Sequence, residues 1–343
     1  MKTGRDLREV LVELQRQQEA KRDYISPASS LALKSDGHTL TMGDKDFSTT
    51  DLFHRQVASS LNIPARYYDL MQREKPALLA ANVNTWFSDR DQSYMVRSLD
   101  GTARALLSDR YRRIDNLEVM TAILPLFAGV EGMEVMSAEV TDTKCYVKVV
   151  DHRREVTCVN DIVQFGMVFS NSEVGLGAVS VQPLLYTLRC TNGLIINSLG
   201  ERKTHVGRAA KGLEDFGVIS DEAAEAEDKA FLLRLRDIVT SIFDETRQMV
   251  IVRELEKTAD AKITGRVMDV VELTGKEYGL NATEQDGVLK YLIEGGDLSL
   301  YGLTNAVTRL SQDIESYDRA TALEGIGWQM AMMGNRRWEE LNR

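Results

Sequence analysis

The residues of this chain whose types and spacing could do chemistry together are basic, and they sit in its middle. Arg104, Arg110, Tyr111, Arg112 and Arg113 fall within one ten-residue run, RALLSDRYRR. Arg202, Lys203 and Arg208 form a second group, which extends to Lys211. Both groups follow segments that read as strands. Lys144 and Lys148 share one face of an alternating run, with Arg153-Arg154 just after it. Lysine and arginine at such spacing neutralise phosphates, and a tyrosine among them can stack on an unpaired base. The competing reading is a solvated surface with local ion pairs, such as Arg110 with Asp109 or Arg113 with Asp115. The shared location of the groups tilts the balance toward binding.

Other chemistry has thinner support. The sequence has no GxxxxGK[ST] phosphate loop, no GxGxxG after a strand, no HExxH and no GxSxG elbow. Gly175-Leu176-Gly177 reads as a hairpin loop, because nothing helical follows it. Cys190 would need a base, and His205 serves only if the fold returns it; the Asn192-Gly193 dipeptide explains the same stretch as a turn. Cys145, Cys158 and Cys190 are widely spaced and include no CxxC pair. His38, His54, His152 and His205 are scattered. No paired carboxylates suggest a metal-dependent nuclease. Neither a catalytic residue nor a metal or other cofactor is expected.

Charge narrows the region further. The 343 residues carry 42 Lys+Arg against 52 Asp+Glu, a formal net charge of −10. Residues 97–212 hold 14 basic and 13 acidic residues, a net of +1, which leaves −11 for the rest. Residues 214–228 alone contain seven acidic residues and no basic one. The middle of the chain is therefore the part suited to phosphate. Hydrophobic residues at 43% and charged residues at 27% are ordinary for a globular chain. No apolar run approaches the roughly 18 residues of a membrane helix, and the charged N-terminus lacks a secretory signal, so a cytoplasmic protein without membrane contact is expected.

The elements that must position these residues follow from periodicity. Residues 6–22 read as a charged amphipathic helix ended by Ser26-Pro27. Residues 31–34 and 38–42 form a short hairpin around Ser35-Asp36-Gly37. Helices follow after the caps Ser48-Thr49-Thr50, after Pro64 and after Pro76. Residues 94–99 and 103–107 make a hairpin on Asp100-Gly101, and residues 116–126 return to helical spacing. Residues 133–140 and 144–150 pair around Thr141-Asp142-Thr143. Cys145, Val147 and Val149 lie on one side of that last strand, with Lys144, Tyr146 and Lys148 on the other. Residues 162–170 and 178–188, with a short strand at 194–197, complete a central sheet of about five or more strands. Residues 221–253 read as one helix, since neither Pro nor Gly interrupts it, and shorter helices continue to the end. The expected fold is α+β: a central antiparallel, hairpin-rich sheet with helical N-terminal and C-terminal flanks. Three regions are expected: a mainly helical part at 1–92 with its short hairpin, a β-rich core at 93–213, and a helical part at 214–343.

Several segments are familiar. NIPARYYDLM, LAANVNTWF, ARALLSDRYRRIDNLEV, LRCTNGLIIN followed by KTHVG, and LTNAVTRLSQDIESYDRATALEGIGWQMA occur in that order. Together they resemble the phage- and plasmid-borne family known as domain of unknown function nine hundred and thirty-two, over about residues 61–333. That setting implies DNA metabolism, defence or counter-defence. A hairpin-rich sheet followed by a long helix is also similar, by fold analogy only, to single-strand annealing proteins of the RecT, Red beta and Erf type. The analogy implies a homo-oligomeric ring or filament that holds single-stranded DNA without bond-making chemistry. A recombination protein of host or phage would be a further partner. The other reading is a non-enzymatic anti-defence or regulatory factor whose acidic surface contacts a basic host protein. A nuclease or cysteine hydrolase is the third.

Overall fold

The computed structural model describes residues 1–111, 113–128, 130–177, 179–197, 201–203 and 221–343. Its strands form two sheets. The first contains β1 (Arg22–Pro27), β2 (Leu31–Leu33), β3 (Thr39–Met42), β4 (Lys45–Thr49), β5 (Ser93–Leu99) and β6 (Thr102–Ser108), in the order β1-β5-β6-β4-β3-β2. One helix precedes β1, and three more run between β4 and β5. In chain order these are α1 (Leu7–Ala20), α2 (Asp51–Ser60), α3 (Ala65–Glu74) and α4 (Pro76–Ser88). Thr50 caps α2 by accepting from the Phe53 amide at 3.2 Å, and Pro76 opens α4, where its missing N–H costs nothing. Phe53, Val57, Tyr68, Leu79, Val83 and Phe87 of α2 to α4 pack on Leu40, Phe47 and Val96 of the sheet.

The hairpin at 93–108 forms as its turn residues require. Asp100 and Gly101 both take positive φ, 51° and 77°, the conformation of a tight turn between twisted strands. Its place differs from the sequence reading. It joins the first sheet, through antiparallel β1–β5 pairing (Arg22 opposite Ser98) and parallel β4–β6 pairing (Ser48 opposite Thr102). The expected division at residue 92 thus falls inside a sheet. Residues 22–27, read as the end of a helix, are an edge strand, and 45–49 are a strand too. Neither has alternating apolar residues, and long-range partners create both.

The second sheet contains β7 (Met133–Val140), β8 (Cys145–Cys158), β9 (Asp161–Asn171), β10 (Val179–Thr187) and β11 (Gly193–Ile195), antiparallel and in sequential order. β12 (Glu201–Lys203) pairs with the start of β10. Val147, Val149, Met167, Phe169 and Val181 face a core shared with Val10 and Leu14 of α1, and with Val119, Met120 and Ile123 of α5 (Asn116–Phe127). The capping box of Asp6 and Glu9 starts α1 above this core.

The C-terminal region is helical: α6 (Asp221–Ile242), α7 (Glu245–Asp260), α8 (Val267–Glu277), α9 (Ala282–Gly295), α10 (Leu300–Leu310), α11 (Tyr317–Ala331) and α12 (Asn335–Leu341). The helix expected over 221–253 is two helices. Asp244 stops the first and caps the second, accepting from the Arg247 amide at 3.0 Å. Val270, Leu292, Leu303, Val307, Leu323 and Trp338 form a separate helical core. The fold is α+β, with helical N-terminal and C-terminal regions. No helix among the described residues is long and apolar enough to cross a membrane.

Candidate nucleic-acid interface at the seam between the sheets

Where the two sheets meet, charged groups gather. Arg97 on β5 is buried, and each of its three guanidinium nitrogens donates. Its Nε and Nη2 donate to Asp23 at 2.7 and 3.1 Å, Nη2 also to Asp115 at 2.8 Å, and Nη1 to the Glu173 carbonyl at 2.8 Å. Lys21, just past α1, reaches Asp115 at 2.7 Å and Glu173 at 3.3 Å. Burial alone would raise the Asp115 carboxyl, but the bonds from Lys21 and Arg97 prevail and hold it below the usual carboxylate range.

Arg104, one of the sequence candidates, lies beside this network on β6 and is treated differently. Its side chain is 11% exposed, and among the described residues its ionic contact is Glu173, at 3.8 Å. Glu173 is already engaged by Lys21 and by the Asn116 amide at 2.7 Å. Burial lowers the Arg104 guanidinium, against the pull of Glu173. The residue lines a cleft of about 420 Å³ with Thr50, Asp51 and Arg55 of the α2 region, Thr102, Asp142, Thr143 and Leu176. Lys144 does not line it, but follows the lining Thr143 in the chain, and a Cβ on Gly177, the neighbour of the lining Leu176, would lie 3.7 Å from the Lys144 Nζ.

The other candidates separate. Arg110 and Arg113 are exposed, and Arg113 leans on Asp23 at 3.4 Å. Tyr111 is not a displayed ring. It packs with Met95, Ala105, Leu107 and Val174, and its hydroxyl donates to the Ser172 carbonyl at 3.2 Å. Lys148 needs the firmest correction. It is wholly buried, and its Nζ donates to Glu324 Oε2 at 2.6 Å while lying 4.8 Å from the centre of the Tyr317 ring. Strand alternation put Lys148 on the open side of β8, but α11 covers that side. Nearby, Arg153 is held by Asp151 at 2.7 Å and Arg154 by the Phe243 carbonyl at 2.9 Å. The backbones of Arg202 and Lys203 extend the second sheet in β12. Arg112 and Arg208 lie outside the described residues.

The sequence reading missed Arg55, a lone exposed arginine on an amphipathic helix with no basic neighbour to mark it. It also missed the exposed aromatics Tyr67 on α3 and Trp86 on α4, which are 47% and 49% exposed. Arg66, Arg73 and Lys75 are exposed on the same helical segment. A helix residue that breaks the apolar periodicity with a large ring was the available signal.

Cys190 lines a different cavity, of about 660 Å³, with Asp161, Arg189, Asn192, Tyr301 and Arg309. Burial raises its thiol above the ordinary value, which disfavours the nucleophilic thiolate. The base considered for it, His205, lies outside the described residues.

No family model matches the chain, and no solved structure matches it. A stretch of 112 residues, 32% of the chain, is 29% identical to the probable phospholipid-transporting ATPase 12 of Arabidopsis thaliana. The match spans 9% of that protein's length, so it carries no argument about activity.

Proposed function

We propose that this chain is a cytoplasmic phage- or plasmid-encoded protein that binds single-stranded DNA as a homo-oligomer and assists strand annealing in recombination, without bond-making chemistry. The observation that carries the reading is the cleft at the seam, where Arg55 and Arg104 keep guanidinium donors unused among the described residues, with Lys144 next in the chain to the lining Thr143. Phosphate is the ligand such donors fit, and contacts to phosphate hold a strand without reading its sequence. Exposed Arg110 and Arg113 add further phosphate contacts. Tyr67 and Trp86, rather than Tyr111, offer rings to unpaired bases. The resemblance to the mobile-element family supports the setting.

The test is fluorescence anisotropy with labelled single-stranded and duplex oligonucleotides at two salt concentrations. Tight binding to the single strand that weakens steeply with salt is expected, with Arg110→Gln and Arg113→Gln each reducing the salt slope by about 1. Affinity unchanged by salt, or no binding at low salt, overturns the reading. It would favour the acidic protein-binding factor instead.

A further inference from the structure

Resting on that reading, we propose that the cleft around Arg104 seats the terminal phosphate of the strand, a phosphomonoester at one of its ends. The argument begins with the contrast between two arginines a few residues apart. Arg97 shows how this fold answers a guanidinium whose role is structural: two carboxylates and a carbonyl, all within 3.1 Å. Arg104 is nearly as enclosed and has a single ionic contact at 3.8 Å. A buried charge without matching acceptors is costly, so the fold carries a cost at Arg104 that an anion in the cleft would offset.

The surroundings define the anion. Arg55 is exposed at the cleft's mouth and has no ionic partner among the described residues, and Lys144 stands beside Gly177 with its ammonium equally unpaired. The carboxylates facing the same space are Asp51, Asp100 and Asp142. Arg16 neutralises Asp100 through bonds of 2.9 and 3.1 Å, which leaves Asp51 and Asp142 beside the two lining cations, Arg55 and Arg104, with Lys144 just outside the lining. A phosphodiester brings one negative charge past those carboxylates. A phosphomonoester brings about −1.5 to −2 and three acceptor oxygens, so it can accept from the unused donors of Arg104 and Arg55 at once.

Size and connectivity agree. A cavity of about 420 Å³ lies in the range of sites for single small ligands, not of a channel for many nucleotides. A phosphate inside a strand needs the chain to leave on two sides, whereas an end needs one mouth. The following nucleotides then run outward, with their phosphates available to exposed cations.

The experiment compares oligonucleotides of one sequence carrying a 5′-phosphate, a 3′-phosphate or neither, by anisotropy. Thermal stability with thymidine monophosphate, thymidine and inorganic phosphate runs in parallel. One phosphorylated end is expected to tighten binding by at least about tenfold. Thymidine monophosphate should stabilise the protein where thymidine does not. Stabilisation by inorganic phosphate equal to that by the nucleotide, with no preference among the oligonucleotides, would assign the cleft to free phosphate and overturn the strand-end assignment. Arg104→Gln should erase the difference between phosphorylated and unphosphorylated ends. Because Arg104 is enclosed, the exposed Arg55→Gln serves as the second variant and should reduce the preference without affecting folding. Equal, salt-sensitive affinity for all three oligonucleotides overturns this inference and leaves the single-strand reading standing. No binding of any oligonucleotide overturns both.

Discussion

An ammonium with no exposure must be answered from inside the protein, and for Lys148 the answer lies 176 residues away in Glu324. The carboxylate also accepts from the Lys2 amide at 3.1 Å and the Ser311 hydroxyl at 3.4 Å. Burial pulls the Lys148 ammonium down, and Glu324 opposes it. Removing one partner leaves the other enclosed and unmatched. Lys148→Met is therefore expected to cost about 3–5 kcal/mol of stability in urea denaturation. Lys148→Met combined with Glu324→Gln removes both charges, keeps an acceptor for the Lys2 amide and should recover most of that loss. A double variant as unstable as the single one would mean that shape, not charge, decides the site. The same residue marks a limit of sequence reading. Alternation placed Tyr146 and Lys148 on one face correctly, but no local pattern shows that α11 lies over that face.

At the scale of elements, what was legible was what is local. The hairpins on Asp100-Gly101 and Thr141-Asp142-Thr143 form between the strands expected, because their turn residues and flanking alternation act over a few positions. β1 and β4 were not legible, because partners far along the chain define them. In the candidate site, Arg104 and Lys144 could be picked from their clusters. Arg55 could not, and Tyr111 was misplaced because Val174, from the loop after β9, helps to enclose its ring. The glycine in the middle of β9 belongs to this scale as well. Gly166 pairs with Val150 on one side and Leu184 on the other, and a Cβ there would lie 2.1 Å from the Val149 carbonyl oxygen. No side chain fits without moving β8 away. Gly166→Ala should lower the urea midpoint by an amount equivalent to roughly 1–3 kcal/mol while leaving the denaturant slope unchanged. An unaltered midpoint would show that β8, whose register already shifts between Val150 and Glu155, yields freely at this point.

For the whole molecule, the question is what keeps two sheets with separate cores in one arrangement. Their seam is charged: Lys21, Arg97 and Arg104 face Asp23, Asp115 and Glu173, with Arg113 at the rim. Asp115 is the member that both Lys21 and Arg97 bind directly, and its folded carboxyl titrates below the usual range. On acidification the unfolded chain therefore takes up this proton first. The stabilisation from Asp115 is fully present above the ordinary carboxylate range and is lost as pH falls through its depressed folded value. The core of the second sheet contains no such dependence, since Val147, Met167 and Phe169 do not titrate, whereas the first core encloses His54, which burial beside Phe53 and Tyr68 holds down to about 4 and which therefore also withdraws stability as pH falls. Acid should therefore loosen the seam and the helical layer around His54 before it dissolves the second sheet. Amide hydrogen exchange at decreasing pH is expected to show protection falling first in β1 and at the start of α5, with β8 and β9 following later. Asp115→Asn should lower stability at neutral pH and flatten its decline in acid, because the amide neither titrates nor holds two cations. A variant whose pH profile overlays that of the parent would mean that Asp115 does not couple the sheets and that apolar contact alone holds them together.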